Sequence, residues 1–180
     1  PADRSSSVTV ITDDATLAWR SLAVWGDRAA EHWVGDYAVA AVGPSRDRLV
    51  VSRGITGVRS CFHARADLLE LVSDDLALLV SLLGDDGTPV EAAVAEYLRL
   101  GQLVTPTLTF HRGVSRVPAA HTLTVARDGT LRLVRHWEFP EPPTRHGARM
   151  DEVTEEFHSV LGRAVADRLR APRATLLLSG

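Results

Sequence analysis

Three prolines, Pro140, Pro142 and Pro143, crowd the stretch Phe139-Pro140-Glu141-Pro142-Pro143-Thr144. Each fixes φ and lacks an N–H, so neither a helix nor a central strand can run through them. Such a segment is a stiff, extended spacer. It divides the chain into a long first region and a short second one, and the fold has to be read separately on each side.

Before the prolines the pattern is of short apolar runs broken by turn residues. Residues 8–11 read as a short buried strand. Thr12, Asp13 and Asp14 offer a helix N-cap, and a helix over residues 14–25 would bury Leu17, Leu22 and Trp25 and stop at Gly26. Residues 33–42, rich in Ala and Val, read as a buried strand. Gly43-Pro44-Ser45-Arg46-Asp47 is a turn, and residues 49–52 form the returning strand of a hairpin. Residues 61–64 and 68–72 read as two more strands. Residues 74–83 and 90–100 read as helices, with Pro89 suited to a first-turn position. Asp128-Gly129 between the apolar runs 123–126 and 131–134 is a strong hairpin signal.

Beyond the prolines, Val153, Phe157, Val160, Leu161, Ala164, Val165 and Leu169 recur at helical spacing, which predicts an amphipathic helix over residues 151–170. The unalternating run Ala174-Thr175-Leu176-Leu177-Leu178 reads as a strand covered on both faces. It leads directly into Ser179-Gly180. A helix and one such strand cannot cover each other's apolar surface, so the second region reads as the opening of a larger unit.

Composition narrows the function classes. The formal charge is −3, from 20 basic and 23 acidic residues, with no excess that would favour nucleic acid. Every basic residue other than His is Arg, which leaves no lysine nucleophile or phosphate-binding lysine in this sequence. The single cysteine, Cys61, excludes an intrachain disulfide and fits a reducing, cytoplasmic setting. No apolar run approaches the ~20 residues that span a bilayer, and no secretory leader is apparent. No His-x-x-x-His pair with a third ligand occurs, so no metal site is expected in these residues.

Several segments, in order, carry a resemblance. Val34-Gly35-Asp36-Tyr37-Ala38-Val39-Ala40 is similar to the pattern L-x-G-x-FAFA. Residues 51–59, Val-Ser-Arg-Gly-Ile-Thr-Gly-Val-Arg, are similar to LARD-x-x-G-x-[KR], and Val72-Ser73-Asp74 stands where that pattern continues Ala-Ser-Glu. Residues 96–101 (Glu-Tyr-Leu-Arg-Leu-Gly), 109–114 (Thr-Phe-His-Arg-Gly-Val) and 117–121 (Val-Pro-Ala-Ala-His) match EYL-x-x-G … TLF-x-G-V … LPPGH. Leu176 to Gly180 resembles the start of a pyrophosphate loop, Ser-Gly-Gly-x-Asp-Ser. Together these resemble the asparagine synthetase family along essentially the whole chain.

That resemblance implies an α+β fold. Residues 1–138 would be the C-terminal part of a glutaminase-like, four-layer αββα sandwich of the N-terminal-nucleophile type, whose first part is absent from this sequence. Residues 139–150 would be a linker, and residues 151–180 the beginning of an α/β ATP-dependent synthetase domain. It implies ATP, with Mg²⁺, adenylating a small-molecule or peptide carboxylate for attack by ammonia, from glutamine, or by an amine. A homo-oligomer is compatible with it, and neither nucleic acid nor membrane is implied as a partner.

Departures from the pattern matter as well. Gly54 replaces an Asp, Ser60 a Pro, Asp74 a Glu, and Cys61 an aliphatic residue. The string Phe62-His63-Ala64-Arg65 resembles actinobacterial lasso-peptide cyclases, which with β-lactam synthetases are relatives that have lost glutaminase chemistry.

For the sites, resemblance places Ser179 and Gly180 against the ATP pyrophosphate, where small residues and backbone N–H groups can surround phosphate. Leu178 would touch the adenosine through its backbone or act as a core strand residue. Asp14 precedes Gly26 by the spacing of the family's glutamine-binding aspartate. Its competing role is a first-turn aspartate favoured by the helix dipole. No catalytic residue is expected in these residues. Cys61 reads as a packed small hydrophobe rather than a nucleophile, His121 as structural, and Arg53 as one end of a structural salt bridge, with shaping of the pocket as its alternative. A reading from another class is a non-catalytic scaffold that keeps the sandwich to present a surface.

Overall fold

A computed structural model describes residues 13–43, 45–84, 87–142, 147 and 149–169. The chain divides into unit 1, residues 1–139, and unit 2, residues 140–180. The expected strands at residues 8–11 and 174–178, and with them Leu178, Ser179 and Gly180, lie outside the described residues.

Unit 1 opens with α1 (Asp14–Trp25). Asp13 caps it, accepting from the Thr16 amide at 2.9 Å and from the Thr16 hydroxyl at 2.7 Å. These bonds hold its carboxyl below the usual aspartate range. Gly26, at φ +58°, ends the helix by returning its N–H to the Leu22 carbonyl. A 3₁₀ helix, Gly26–His32, follows. The helix limits match the sequence reading, but its buried face is narrower. Leu22 is buried, whereas Leu17 and Trp25 are about half exposed. The physical reason is that Ala29 of the 3₁₀ helix is buried beside Leu22 and shares its task, and that Trp25 stacks on His32 instead, with ring centres 4.3 Å apart.

The strands are β1 (Ala38–Val42), β2 (Arg48–Arg53), β3 (Phe62–Ala66) and β4 (Leu69–Ser73). Two helices come next, α2 (Leu76–Leu83) and α3 (Glu91–Leu100). Then follow β5 (Val114–Arg116), β6 (His121–Ala126) and β7 (Leu131–Arg135). They form two antiparallel sheets, ordered β1-β2-β6-β7 and β4-β3-β5. The fold is α+β. Alternation along the strands sends side chains to opposite faces. On β2, Val50 packs with Leu22 and Ala29, while Val51 packs with Leu123, Val125, Cys61 and Val117. Across the second sheet, Phe62, Ala64 and Val114 pack with Leu79 of α2.

Two expectations need correction, and one strand was not anticipated. The strand expected at residues 33–42 occupies only Ala38–Val42, and it is not buried: β1 is an edge strand whose residues alternate between exposed and half-buried. Trp33 instead turns its indole N–H to the Ser21 hydroxyl at 2.7 Å and its ring to the core beside Leu22, which takes the backbone off the sheet. Pro89 is not in the first turn of α3. Val90 is the N-cap: its backbone is extended (φ −69°, ψ 115°), while its carbonyl already accepts from the Val94 amide at 3.1 Å. The short strand β5, with only Val114 buried, carried no alternation that the sequence could announce.

Unit 2 is described through α4 (Met150–Arg168), which begins one residue before the helix expected over residues 151–170. Among the described residues no helix is long and apolar enough to cross a membrane.

Truncating Leu123 (2% exposed) to Ala should destabilise unit 1 by about 3 kcal/mol, while Leu17→Ala (52% exposed) should cost under about 1 kcal/mol, read as shifts in a denaturant midpoint.

Candidate functional site

A cleft of about 510 Å³ runs along β1. Its walls come from α1 (Asp14, Ala15, Ala18), from Asp36 and Tyr37 just before β1, and from Arg59, Ser60 and Asp74 on the side of the second sheet. Residues 38–41 of β1 line it consecutively. Since neighbouring strand residues point to opposite faces, consecutive lining means that the cleft follows the strand's edge.

The connection from β2 to β3 forms one wall, and Arg53 shapes it. This buried side chain donates from Nε to the Arg59 carbonyl (2.5 Å), from Nη1 to the Val117 carbonyl (2.7 Å) and from Nη2 to the Gly57 carbonyl (2.5 Å). Burial, reinforced by the like charge of Arg116, lowers its pKa. The salt bridge expected for Arg53 is therefore not made among the described residues. Three carbonyls take the carboxylate's place, which suits the planar fork of five N–H donors. Gly54 lies against the other side of the same wall. A Cβ built there would sit 2.9 Å from the Gly35 carbonyl oxygen and 3.2 Å from the Tyr37 nitrogen. The Gly54 N–H meets the Tyr37 carbonyl at 2.9 Å, and the Thr56 hydroxyl donates to Asp36. The side-chain-free position that departs from the family pattern is thus what lets residues 35–37 close onto the end of β2.

Asp14 reaches this cleft from the first turn of α1, while the N-cap role falls to Asp13. The fold thereby brings Asp14 and Asp74 to one cavity, together with Arg59. Carboxylates and a guanidinium in one cleft form a polar environment suited to a zwitterionic or amide-bearing small molecule. Cys61 takes no part. It is buried against Val51 and Leu123, and burial pushes its thiol pKa up, the opposite of an activated nucleophile. His121 directs Nδ1 to the Ala119 carbonyl at 2.7 Å, a structural contact. Among the described residues no group of three or more His, Cys, Asp or Glu is arranged to hold a metal ion.

Sequence reasoning missed Tyr37 and Arg59 as cleft residues. The signal available was the Tyr standing where the family pattern has Phe. Its hydroxyl lies 3.3 Å from His136 Nε2.

A family model described as a glutamine amidotransferase domain matches residues 7–137, and the chain belongs to that family. It is of the asparagine synthetase type. Over 171 residues it is 23% identical to asparagine synthetase (glutamine-hydrolyzing) 3 of Bacillus subtilis (strain 168). That similarity covers 94% of this chain, extending past residue 137 into α4, but 27% of the relative, so the chain spans about a quarter of the relative's length.

Replacing Arg53 by Met would leave three carbonyls without their shared donor and should destabilise unit 1 by about 3 kcal/mol in chemical denaturation. Gly54→Ala should cost about 1–3 kcal/mol, because the atoms its Cβ meets are backbone.

Proposed function

We propose that this chain is part of an ATP-dependent amide-bond-forming enzyme, in which unit 1 is the C-terminal part of a four-layer αββα amidotransferase sandwich and residues 151–180 begin an adenylating domain. The observation that carries this reading is the similarity to an asparagine synthetase running beyond the amidotransferase region and through α4. Packing of α1 on the first sheet, of the sheets on each other, and of α2 on the second sheet supports the sandwich. The division at residue 139 and the start of α4 at Met150 are compatible with a linker over residues 139–150.

In this reading ATP adenylates a carboxylate, and ammonia or an amine attacks the acyl-adenylate to form an amide. Leu178, Ser179 and Gly180 line the nucleotide site, with backbone N–H groups meeting the negative charge that develops on pyrophosphate. Mg²⁺ accompanies the nucleotide. Asp14, in the cleft, takes the ammonium of glutamine or of an analogous amino acid. The protein works in the cytoplasm.

One observation favours a second reading, an intramolecular lactam or macrolactam cyclase with a degenerate glutaminase domain. Gly54 is packed where the family pattern carries an Asp, and no cysteine lines the cleft among the described residues. The carboxylate and the amine would then belong to one substrate. A purely scaffolding role is the outcome if adenylation is absent.

Gly180→Val in the intact protein should abolish carboxylate-dependent exchange of pyrophosphate into ATP while leaving the circular dichroism unchanged, because a Cβ would occupy the approach of the phosphates. Wild-type exchange in that variant rules out the assignment of the loop. The 180-residue chain itself should release no ammonia from glutamine above background, as measured by a coupled assay, since Cys61 is buried and unactivated.

A further inference from the structure

A strand at the edge of a sheet carries unpaired N–H and C=O groups, which invite another strand unless charge or shortness deters it. Among the described residues the outer strands are β1 and β7 in the first sheet, β4 and β5 in the second. Three of these are guarded. β7 carries Arg132 and Arg135, β4 carries Glu70, and β5 is only 3 residues long. β1 is not, since it reads Ala38-Val39-Ala40-Ala41-Val42. The register shows which of its backbone groups are unpaired. In an antiparallel pair alternate residues bond to the neighbour, and those between direct their N–H and C=O to the other edge. At the two ends of the β1–β2 pairing the Gly54 N–H meets the Tyr37 carbonyl at 2.9 Å and the Gly43 N–H meets the Arg48 carbonyl at 2.8 Å. Tyr37 and Gly43 are both odd-numbered, so Val39 and Ala41 bond to β2 as they do. Ala38, Ala40 and Val42 direct their backbone groups outwards, and Ala38 and Ala40 line the cleft.

We infer that this edge is the seat of residues 8–11 of the same chain, Val8-Thr9-Val10-Ile11, added antiparallel to β1. These residues lie outside the described ones and are expected from sequence alone to be a strand. Helix α1 fixes where they can lie. A Cβ built on Gly26, at the end of the helix, would sit 3.8 Å from Arg48 Nη2, and Arg48 is bonded to Gly43 just past the end of β1. The other end of the helix, with Asp14 and Ala15, walls the cleft together with Asp36 and Tyr37 from the start of β1. α1 therefore runs in the same sense as β1. Chain that enters α1 from alongside β1 has to reverse at Thr12-Asp13, which makes it antiparallel to β1. Reach is sufficient, because Ile11 lies within about 7 Å of Asp13 and residues 8–11 extend over about 13 Å, most of the length of β1. Their β-branched side chains suit a strand, and the alanines of β1 leave room beside them.

Other occupants suit the edge less well. Two copies paired through β1 about a two-fold axis would bring Asp14, Asp36 and Asp74 of each to a shared cleft, with only Arg59 of each to offset them. A separate peptide would have to give up its freedom of movement on binding, a cost that a tethered segment largely avoids. The functional consequence falls on Asp14. With residues 8–11 paired to β1 and α1 packed on the sheet, the turn between them is held at both ends, and Asp14 is presented to the cleft from a fixed backbone. The pairing adds a strand to the sandwich proposed above and does not depend on the adenylating reading.

The test is amide hydrogen exchange by NMR on the intact protein, with no activity needed. The amides of Val39 and Ala41 bond to β2 whatever lies on the other edge and serve as the internal reference. Those of Ala38 and Ala40 should be protected to a similar degree, and cross-strand Hα–Hα contacts should join residues 8–11 to residues 38–42. Neighbouring strand residues alternate in the edge they face, so one of Thr9 and Val10 donates to β1. In one of the single variants Thr9→Pro and Val10→Pro, protection at residues 38 and 40 should therefore fall about tenfold or more, while residues 39 and 41 keep theirs. Unprotected amides at 38 and 40 in the wild type overturn the proposal. Protection untouched in both variants also overturns it, the occupant being a second copy if protection falls on dilution and another segment or protein if it does not. Should the variants fail to fold, the cross-strand contacts of the wild type decide, and their absence overturns the pairing.

Discussion

The arrangement of unit 1 depends on one buried cation. Arg53 stands at the end of β2, where the chain must leave one sheet and enter the other, and it binds the carbonyls of Gly57, Arg59 and Val117 at once. Burying a guanidinium without a carboxylate is costly, and each charge-assisted hydrogen bond to a backbone carbonyl offsets part of that cost. The carbonyls gain equally, since a loop folded back between two sheets would otherwise leave them unsatisfied. Val117 leads from β5 towards β6, and Gly57 and Arg59 lead from β2 towards β3. Both crossings between the sheets are thus tied to one side chain, and the cleft wall formed by Arg59 and Ser60 is placed as a consequence.

Alternation along the strands then distributes the apolar residues. Val50 and Val51 are neighbours in sequence, yet they serve different clusters, one beneath α1 and one between the sheets. Cys61 and Phe62 divide in the same way, Cys61 towards the first sheet and Phe62 towards α2. A one-residue slip at either place would exchange the two cores, so the register is strongly specified. A second tie reinforces it. Glu70 on β4 accepts from His63 and Arg65 on β3, and Arg65 reaches on to the Gly129 carbonyl in the turn between β6 and β7.

How much of this was legible follows from range. Features governed by neighbours in sequence were readable: the limits of α1 from its cap and Gly26, and the hairpin at Asp128-Gly129. The same holds for the β1–β2 turn, where the Gly43 N–H closes on the Arg48 carbonyl. Features governed by distant contacts were not. Nothing local marks Trp33 as leaving the strand pattern to reach Ser21, or marks β1 as an edge strand. Arg53 looked like half of an ion pair because a side chain seeking carbonyls 4, 6 and 64 residues away has no sequence signature. The cleft was half legible. Asp14 came from family spacing and Asp74 from a familiar motif, but that Tyr37 and Arg59 share their cavity is a product of the fold.

Unit 2 poses the opposite problem. Periodicity made α4 plain, and Val153, Phe157, Val160, Leu161 and Val165 form its apolar stripe, all of them exposed. A stripe of that breadth exceeds the single exposed apolar residues normal for a protein surface, and a helix of this kind is stable by virtue of what it packs against. In the proposed adenylating reading, the apolar run at residues 174–178, expected from sequence alone to be a strand, is what this stripe would cover.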